Sequence, residues 1–293
     1  MAIGDQVTRP GHVQYGDLLF GPGTPYRWQQ ITGWEDLPAL DSGTVPRADA
    51  HGAFPGTLLA QARTIGLEGL IVRAPRATIG AVVGALNRGT APVVDELPFV
   101  AWLDERGPLL THARATRRSV PAGKGYQLGT IVGGAVEFVA TDPRRYELAE
   151  RAVSTTLPTS EPGLVWPLVW PLSFGAPGST GSMTAHNAGD AETHPVLEFR
   201  GPVTRPSLTN IDTGDVLEYD IPLAAGDVLT VDTLAGTVTL NSTASRIYTA
   251  TNRSVPEQTF TLCCGITNLI FRAAPGSDDP SASATVRYRS AYW

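Results

Sequence analysis

Glycine and proline interrupt this chain every few residues, and that punctuation constrains the fold more than any other feature. There are 31 glycines and 24 prolines among 293 residues, together close to a fifth of the chain. Proline removes a backbone donor and clashes with the preceding helical turn, and an interior glycine costs a helix about 1 kcal/mol. The sequence therefore suits many short strands and turns and excludes long helices. Its 42% hydrophobic and 17% charged residues supply a core and argue against disorder. The length predicts two domains.

Charge sets the next bound. The formal net charge is −6 (22 basic, 28 acidic), so the chain is no polycation seeking nucleic acid or anionic lipid. Residues 1–153 carry 15 acidic and 15 basic groups, whereas residues 154–293 carry 13 and 7, so the excess negative charge sits in the second part. Only Lys124 among the 22 basic residues is a lysine, a bias we read as the mark of a GC-rich source. No apolar run approaches the ~18–20 residues that span a bilayer, and the first residues lack the pattern of a secretory signal.

The second part reads as all-β. In VLEYDIPL, Leu217, Tyr219, Ile221 and Leu223 alternate with Glu218, Asp220 and Pro222. Leu229 and Val231 precede a turn at Ala235–Gly236, with Val238 and Leu240 beyond it, which is a hairpin signature. TFTLCCGI predicts Phe260, Leu262, Cys264 and Ile266 on one face. Val286, Tyr288 and Tyr292 are expected on one face of the last strand, with Arg287 and Arg289 on the other. Strands at this spacing indicate an antiparallel sandwich.

The first part is mixed, with strands in the majority. Ile79, Val82, Val83 and Leu86 recur at helical spacing, and Gly89 is placed to stop the helix. Gly80 and Gly84 predict a small-residue face for close packing. Strand-like pieces are VQYGDLLFG, RTIGLEGLIVRA, PFVAWLDE and AVEFVATD, and residues 109–132 are expected to form a long hairpin. Between the parts, Pro158, Pro162, Pro167, Pro171 and Pro177 forbid a helix. Trp166 and Trp170, each before a proline, suggest a packed connector. The expected division is 1–153, a connector over 154–182, and 183–293.

Motifs of chemistry are missing. GPGTPY has Tyr26 where a dinucleotide loop needs its third glycine, and Arg118 and Gly125 spoil the phosphate loop suggested around Lys124. Pro177 spoils a nucleophile elbow at Ser179. The five histidines, at 12, 51, 112, 186 and 194, are scattered, with no metal-ligand spacing. His51 beside Asp49 could be a base and its orienter, but Gly52, Pro55 and Gly56 predict a turn. His186, Asn187 and Arg200 could serve a sugar site, although Trp293 is the only tryptophan from residue 183 onward. Asp278 and Asp279 read as a solvated acidic turn sooner than a calcium site. Asn241 and Asn252 begin glycosylation sequons that mean little without a secretory signal. Arg114, Arg117, Arg118 and Lys124 form a local basic run without an acid, read as a solvated hairpin arm. Adjacent Cys263 and Cys264 read as small core or near-core residues. The expectation is no catalytic, cofactor-binding or metal-binding residue, no cofactor, and no enzyme.

Two stretches carry a family resemblance. YGDLLFGPGTPYRWQQITGWEDLPALDSGTVPRADAHGAFPGTLLAQARTIGLEGLI resembles the opening of distal tail proteins of long-tailed bacteriophages. Residues 187–241, with the closing VRYRSAYW, are similar to their C-terminal half through NAGDAETHPVLEFRGPVTRPSLTN and TGDVLEYDIPLAAGDVLTVDTLAGTVTLN. Each phrase is short, and the specificity lies in their order. The resemblance implies a mainly β fold, with an N-terminal β-sandwich carrying one helix and a long hairpin, then a C-terminal galectin-like antiparallel β-sandwich.

It also implies a structural role: a homohexameric ring at the distal tail tip of the virion, assembled in the host cytoplasm. The ring would join the tail tube to the tail-tip hub or baseplate and leave a channel through which DNA passes without specific binding. Implied partners are other copies of this chain, the tail tube protein, the hub and the tape measure protein, with receptor-binding proteins or side fibres in some relatives and no membrane. Such proteins in actinobacterial phages are often described as minor tail proteins, which suits the arginine bias. Two alternatives stand beside this reading: a carbohydrate-binding, lectin-like module, and a receptor-binding tail-tip protein.

Overall fold

The computed structural model describes residues 2–159 and 178–293. Trp166 and Trp170, expected to pack a connector, lie outside the described residues. Two compact units emerge, Met1–Leu148 with Tyr292–Trp293, and Ala149–Ala291. The division after Leu148 differs from the expected one after Val153. Its cause is strand pairing: Arg151–Thr156 lie antiparallel to Ser283–Tyr288, from Arg151 opposite Tyr288 to Thr156 opposite Ser283.

The first unit holds β1 (His12–Tyr15), β2 (Leu18–Phe20), β3 (Tyr26–Arg27), β4 (Gln30–Thr32), β5 (Leu40–Ser42), β6 (Val45–Pro46) and β7 (Ala53–Phe54). It continues with β8 (Leu58–Ala60), β9 (Arg63–Arg73), α1 (Ile79–Gly89), β10 (Leu97–Trp102), β11 (Pro108–Ser119), α2 (Lys124–Gln127), β12 (Thr130–Ala140) and β13 (Arg145–Glu147). The main sheet runs β2-β1-β10-β11-β12-β9-β3. The long hairpin expected over 109–132 is β11–β12, with the single turn α2 at its tip.

One strand serves two layers. Pro108–Ala113 of β11 pair with β10, and Arg114–Ser119 pair with β12. The core lies between the layers: Tyr15 on β1 and Phe99 on β10 meet Phe138 on β12, with ring centroids 4.6 and 5.1 Å apart. Trp34 packs against Phe99 in a tilted arrangement, ring centroids 5.4 Å apart. In β9, Ile65 and Leu67 point inward, then Leu70 and Val72 do so after a shift of phase. Gly69, at φ +62°, takes the extra residue, and the register with β12 slips there. A bulge with glycine in the left-handed region restores the apolar face to the core.

Helix α1 buries Ile79, Val83 and Leu86 as its periodicity predicts. The small-residue face does not pack. A Cβ on Gly80 would meet nothing within 4 Å, and one on Gly84 would meet only the end of Arg88. The close approach is at Gly89, where a Cβ would lie 2.5 Å from the Leu18 side chain. Spacing alone does not say which side of a helix has a neighbour.

The second unit holds β14 (Arg151–Thr156), β15 (Ser182–Asn187), β16 (Val196–Arg200), β17 (Val203–Thr204), β18 (Ser207–Asn210), β19 (Val216–Glu218) and β20 (Pro222–Leu223). Then come β21 (Val228–Asp232), β22 (Thr237–Leu240), β23 (Ala244–Ser245), β24 (Gly265–Arg272) and β25 (Ser283–Tyr288), and the last strand, β26 (Ala291–Tyr292), straddles the division, with Ala291 in this unit and Tyr292 in the first. Two sheets, β14-β25-β16-β21-β22-β23 and β15-β24-β18-β19, enclose one core. Phe199 of the first meets Phe271 of the second at 5.9 Å.

Leu217, Tyr219, Ile221 and Leu223 are all buried, and Leu229 pairs with Leu240 and Val231 with Val238 across the hairpin. Three expectations are corrected. Glu218 is buried although it falls on the polar side of the alternation, because Arg253 and Thr251 bind its carboxylate at 3.0 Å each. Phe260 and Leu262 face the core, but Cys264 and Ile266 are exposed, since a 3-10 turn at Glu257–Thr259 precedes the segment and β24 starts only at Gly265. Cys263 is exposed as well, so neither cysteine is a core residue. Finally, Tyr292 does not continue the inward face of Val286 and Tyr288, because β25 ends at Tyr288 and Tyr292 belongs to the first unit.

Candidate docking site

Between β4 and β9 the chain leaves the first unit's sandwich as an arm. Strand β5 pairs with β8, Leu40 opposite Ala60 and Ser42 opposite Leu58. Strand β6 pairs with β7, Val45 opposite Phe54. The amide of Arg47 donates to the Gly52 carbonyl, so Asp49 and His51 sit in the connecting turn at the tip, as their neighbours predict. Midway, a Cβ on Gly56 would lie 2.2 Å from the carbonyl carbon of Gly43. The two backbones cross too closely there for any side chain.

The arm is a two-stranded ribbon with apolar residues on its surface. Leu37, Leu40, Val45, Phe54, Leu58 and Leu59 are each between 43% and 63% exposed. A lone two-stranded ribbon is marginal in water, and an apolar patch of several hundred Å² marks an interface. The Arg47 guanidinium lies 4.8 Å from the Phe54 ring centroid. Sequence reading assigned nothing to these leucines, because the segment has neither helical nor strand periodicity.

The root of the arm is rigid. Arg63, only 1% exposed, donates to the carbonyls of Pro143, Gly33 and Asp36 at 2.7 Å and of Trp34 at 3.0 Å. Arg145 lies over the Trp34 ring at 5.6 Å, pairs with Glu35 at 2.9 Å and donates to the Trp293 carbonyl. Arg106 bridges Glu35 at 2.9 Å and Asp104 at 2.5 Å. Burial and the neighbouring Arg145 lower the Arg63 pKa to about 10, which leaves it charged at neutral pH. Burial works to raise the Glu35 pKa, but hydrogen bonds from Arg106 and Arg145 outweigh it and hold the carboxyl below its usual value.

The opposite end of the unit has another character. Residues 69–94 and 107–136 contain no aspartate or glutamate. Within the basic run, Arg118 donates to the carbonyls of Asn87 and Thr90, closing the end of α1, and Arg114 donates to the Val94 carbonyl. These two therefore also tie the hairpin to its neighbours, although Arg118 remains exposed and Arg114 half-buried. Arg73, Arg76 and Lys124 are exposed and make no ion pair among the described residues, beside exposed Leu128 and Val132.

The remaining candidates do not converge. Asn187 is buried and spends its amide on the carbonyls of Ala191 and Leu262 while accepting from Gly189 and Ala291. His186 lies on β15 and Arg200 on β16, in different sheets. Asp279 accepts from Ser281, and with Asp278 it lines an open groove of about 320 Å³ floored by Pro202, Val203 and Leu223. Among the described residues no cluster of His, Cys, Asp and Glu could hold a metal ion, and no helix is long and apolar enough to cross a membrane.

Comparison with known proteins bears first on the second unit. Residues 188–292 match the family model described as siphovirus-type tail component, C-terminal domain. Similarity of fold to solved structures extends over nearly the whole chain. The crystal structure of SPP1 Dit, described as a paradigm of the hub adsorption apparatus in phages infecting Gram-positive bacteria, superposes with a TM-score of 0.66 at 14% identity, covering 96% of this chain and 99% of that one. A chain of the phage P2 baseplate in its activated conformation with calcium superposes with a TM-score of 0.50 at 12% identity, covering 94% and 97%. A search of curated protein sequences returns no match.

Proposed function

We propose that this chain is a siphovirus-type tail component that acts as a ring-forming distal tail adaptor. Copies would close into a homohexameric ring that joins the tail tube to the tail-tip hub or baseplate, with a central passage for DNA. It works through shape, without catalysis, and its partners are further copies of itself, the tube, the hub and the tape measure protein. The observation that carries the reading is the arm: a ribbon with a rigid root and an apolar surface, on a chain whose fold follows SPP1 Dit almost end to end. A ring needs contacts that repeat by a fixed rotation, and a projecting arm supplies such a contact without symmetry of its own.

The test is direct. Purified protein, examined by mass photometry and by negative-stain electron microscopy, should form six-fold rings. A monomer at every concentration, with no such ring in isolated tails, defeats the reading.

A further inference from the structure

The first unit is neutral in sum but bipolar in arrangement. Arg73, Arg76 and Lys124, which make no ion pair among the described residues, stand at one end, where the adjoining segments lack any acid. The arm leaves at the other end, with exposed Asp41 on β5 and Asp49 at its tip. Its single base, Arg47, lies over Phe54.

The strand β9 fixes the separation. It begins at Arg63, which clamps the arm root, and ends at Arg73 in the basic patch. Its 11 residues, at ~3.3 Å each, put the two ends roughly 33 Å apart. The hairpin β11–β12 turns at the same end as Arg73, since Thr130 is opposite Arg73, and it brings Lys124 and Leu128 there. The arm and the patch therefore face away from each other on one copy. Complementary surfaces at opposite ends of a unit make a head-to-tail contact, which closes into a ring when the rotation allows.

We propose that the arm of one copy docks on the basic end of the next, with Asp41 and Asp49 facing Arg73, Arg76 and Lys124, and with the arm's leucines covering Leu128 and Val132. The proposal rests on the ring reading and specifies its receiving surface. Two features on this chain favour a second copy as the occupant. The charges are opposite, and each surface also shows large apolar side chains that the described residues leave uncovered. Contacts of this kind steer encounter and weaken with salt.

Three proteins test it: Asp41→Lys with Asp49→Lys on the arm, Arg73→Glu with Arg76→Glu and Lys124→Glu on the patch, and the five changes combined. Association is followed by sedimentation velocity at low salt and at about 0.5 M salt, with far-UV circular dichroism confirming that each variant is folded. The wild type should form rings that loosen as salt rises. Each charge reversal alone should weaken association roughly a hundredfold or more, because like charges then face each other. The combined protein should recover to within about tenfold of the wild type. Rings that persist in both single-surface variants overturn this docking while leaving the ring reading intact. So does a combined protein that fails to recover, or a patch variant that dissociates while the arm variant does not, which would assign the patch to another acidic partner. A wild type that never associates overturns the ring reading itself, and the docking with it.

Discussion

Arg63→Met should loosen the arm at its root. The side chain is 1% exposed and its guanidinium serves four carbonyls, those of Pro143, Gly33, Trp34 and Asp36. Hydrogen bonds to a charged group contribute about 1.5–3 kcal/mol each, and a buried acceptor left unmet costs about 1–3 kcal/mol. Four such bonds do not add in full, because water can reach the outer carbonyls once the side chain is gone. Removing one member of a buried charged network typically costs about 3–5 kcal/mol, and that is the loss expected here. For a unit of this size 1 kcal/mol moves Tm by about 2–4 °C, so the first unit's transition should fall by roughly 10 °C. Differential scanning calorimetry reads that shift. Hydrogen exchange should quicken at residues 33–36 and along the arm while β16 and β24 in the second unit keep their protection. Arg63→Lys keeps the charge but lacks the planar fork, so it should recover less than half of the loss. A variant that melts within ~2 °C of the wild type with unchanged exchange refutes the clamp.

Other outcomes follow from the same coordinates. Gly80→Ala should stabilise α1 by about 0.5–1 kcal/mol, because its Cβ would meet nothing, whereas Gly89→Ala should destabilise it through contact with Leu18; urea midpoints measure both. Burial raises the pKa of Tyr15, Tyr26, Tyr146 and Tyr219, with the Asp142 and Glu257 carboxylates adding to the effect at the last two. The folded state then holds these protons more tightly than the unfolded chain, so the associated stability is present below the ordinary value near 10 and is lost as pH rises above it. Absorbance titration of the phenolates should show these four lagging behind the other tyrosines. Cys263 and Cys264 are both exposed, so an aromatic disulfide reagent should modify both thiols in the native protein; modification that waits for denaturant contradicts the exposed placement.

What was legible in the sequence is local. The alternation over 217–223, the hairpin from Leu229 to Leu240 and the helix from Ile79 each follow from a side-chain period that survives folding. Punctuation by glycine and proline fixed the mainly β class, and the order of short phrases pointed to the tail-component family. The arm was legible only as a turn around His51, and its role was not, because exposure of Leu37, Leu58 and Leu59 depends on what lies across from them.

The sequence by itself therefore determined which residues are apolar, how they alternate along each element and where the chain must turn. Only the tertiary structure decided what covers each face. It left Gly80 and Gly84 open and packed Gly89, exposed the two cysteines, buried Glu218 against Arg253, and sent Arg63 to four carbonyls far from it in sequence. The reason is physical. A period is a property of one segment and repeats at short range, whereas burial, pairing and charge segregation are properties of segments brought together from distant parts of the chain, and no local pattern records the neighbour that will arrive.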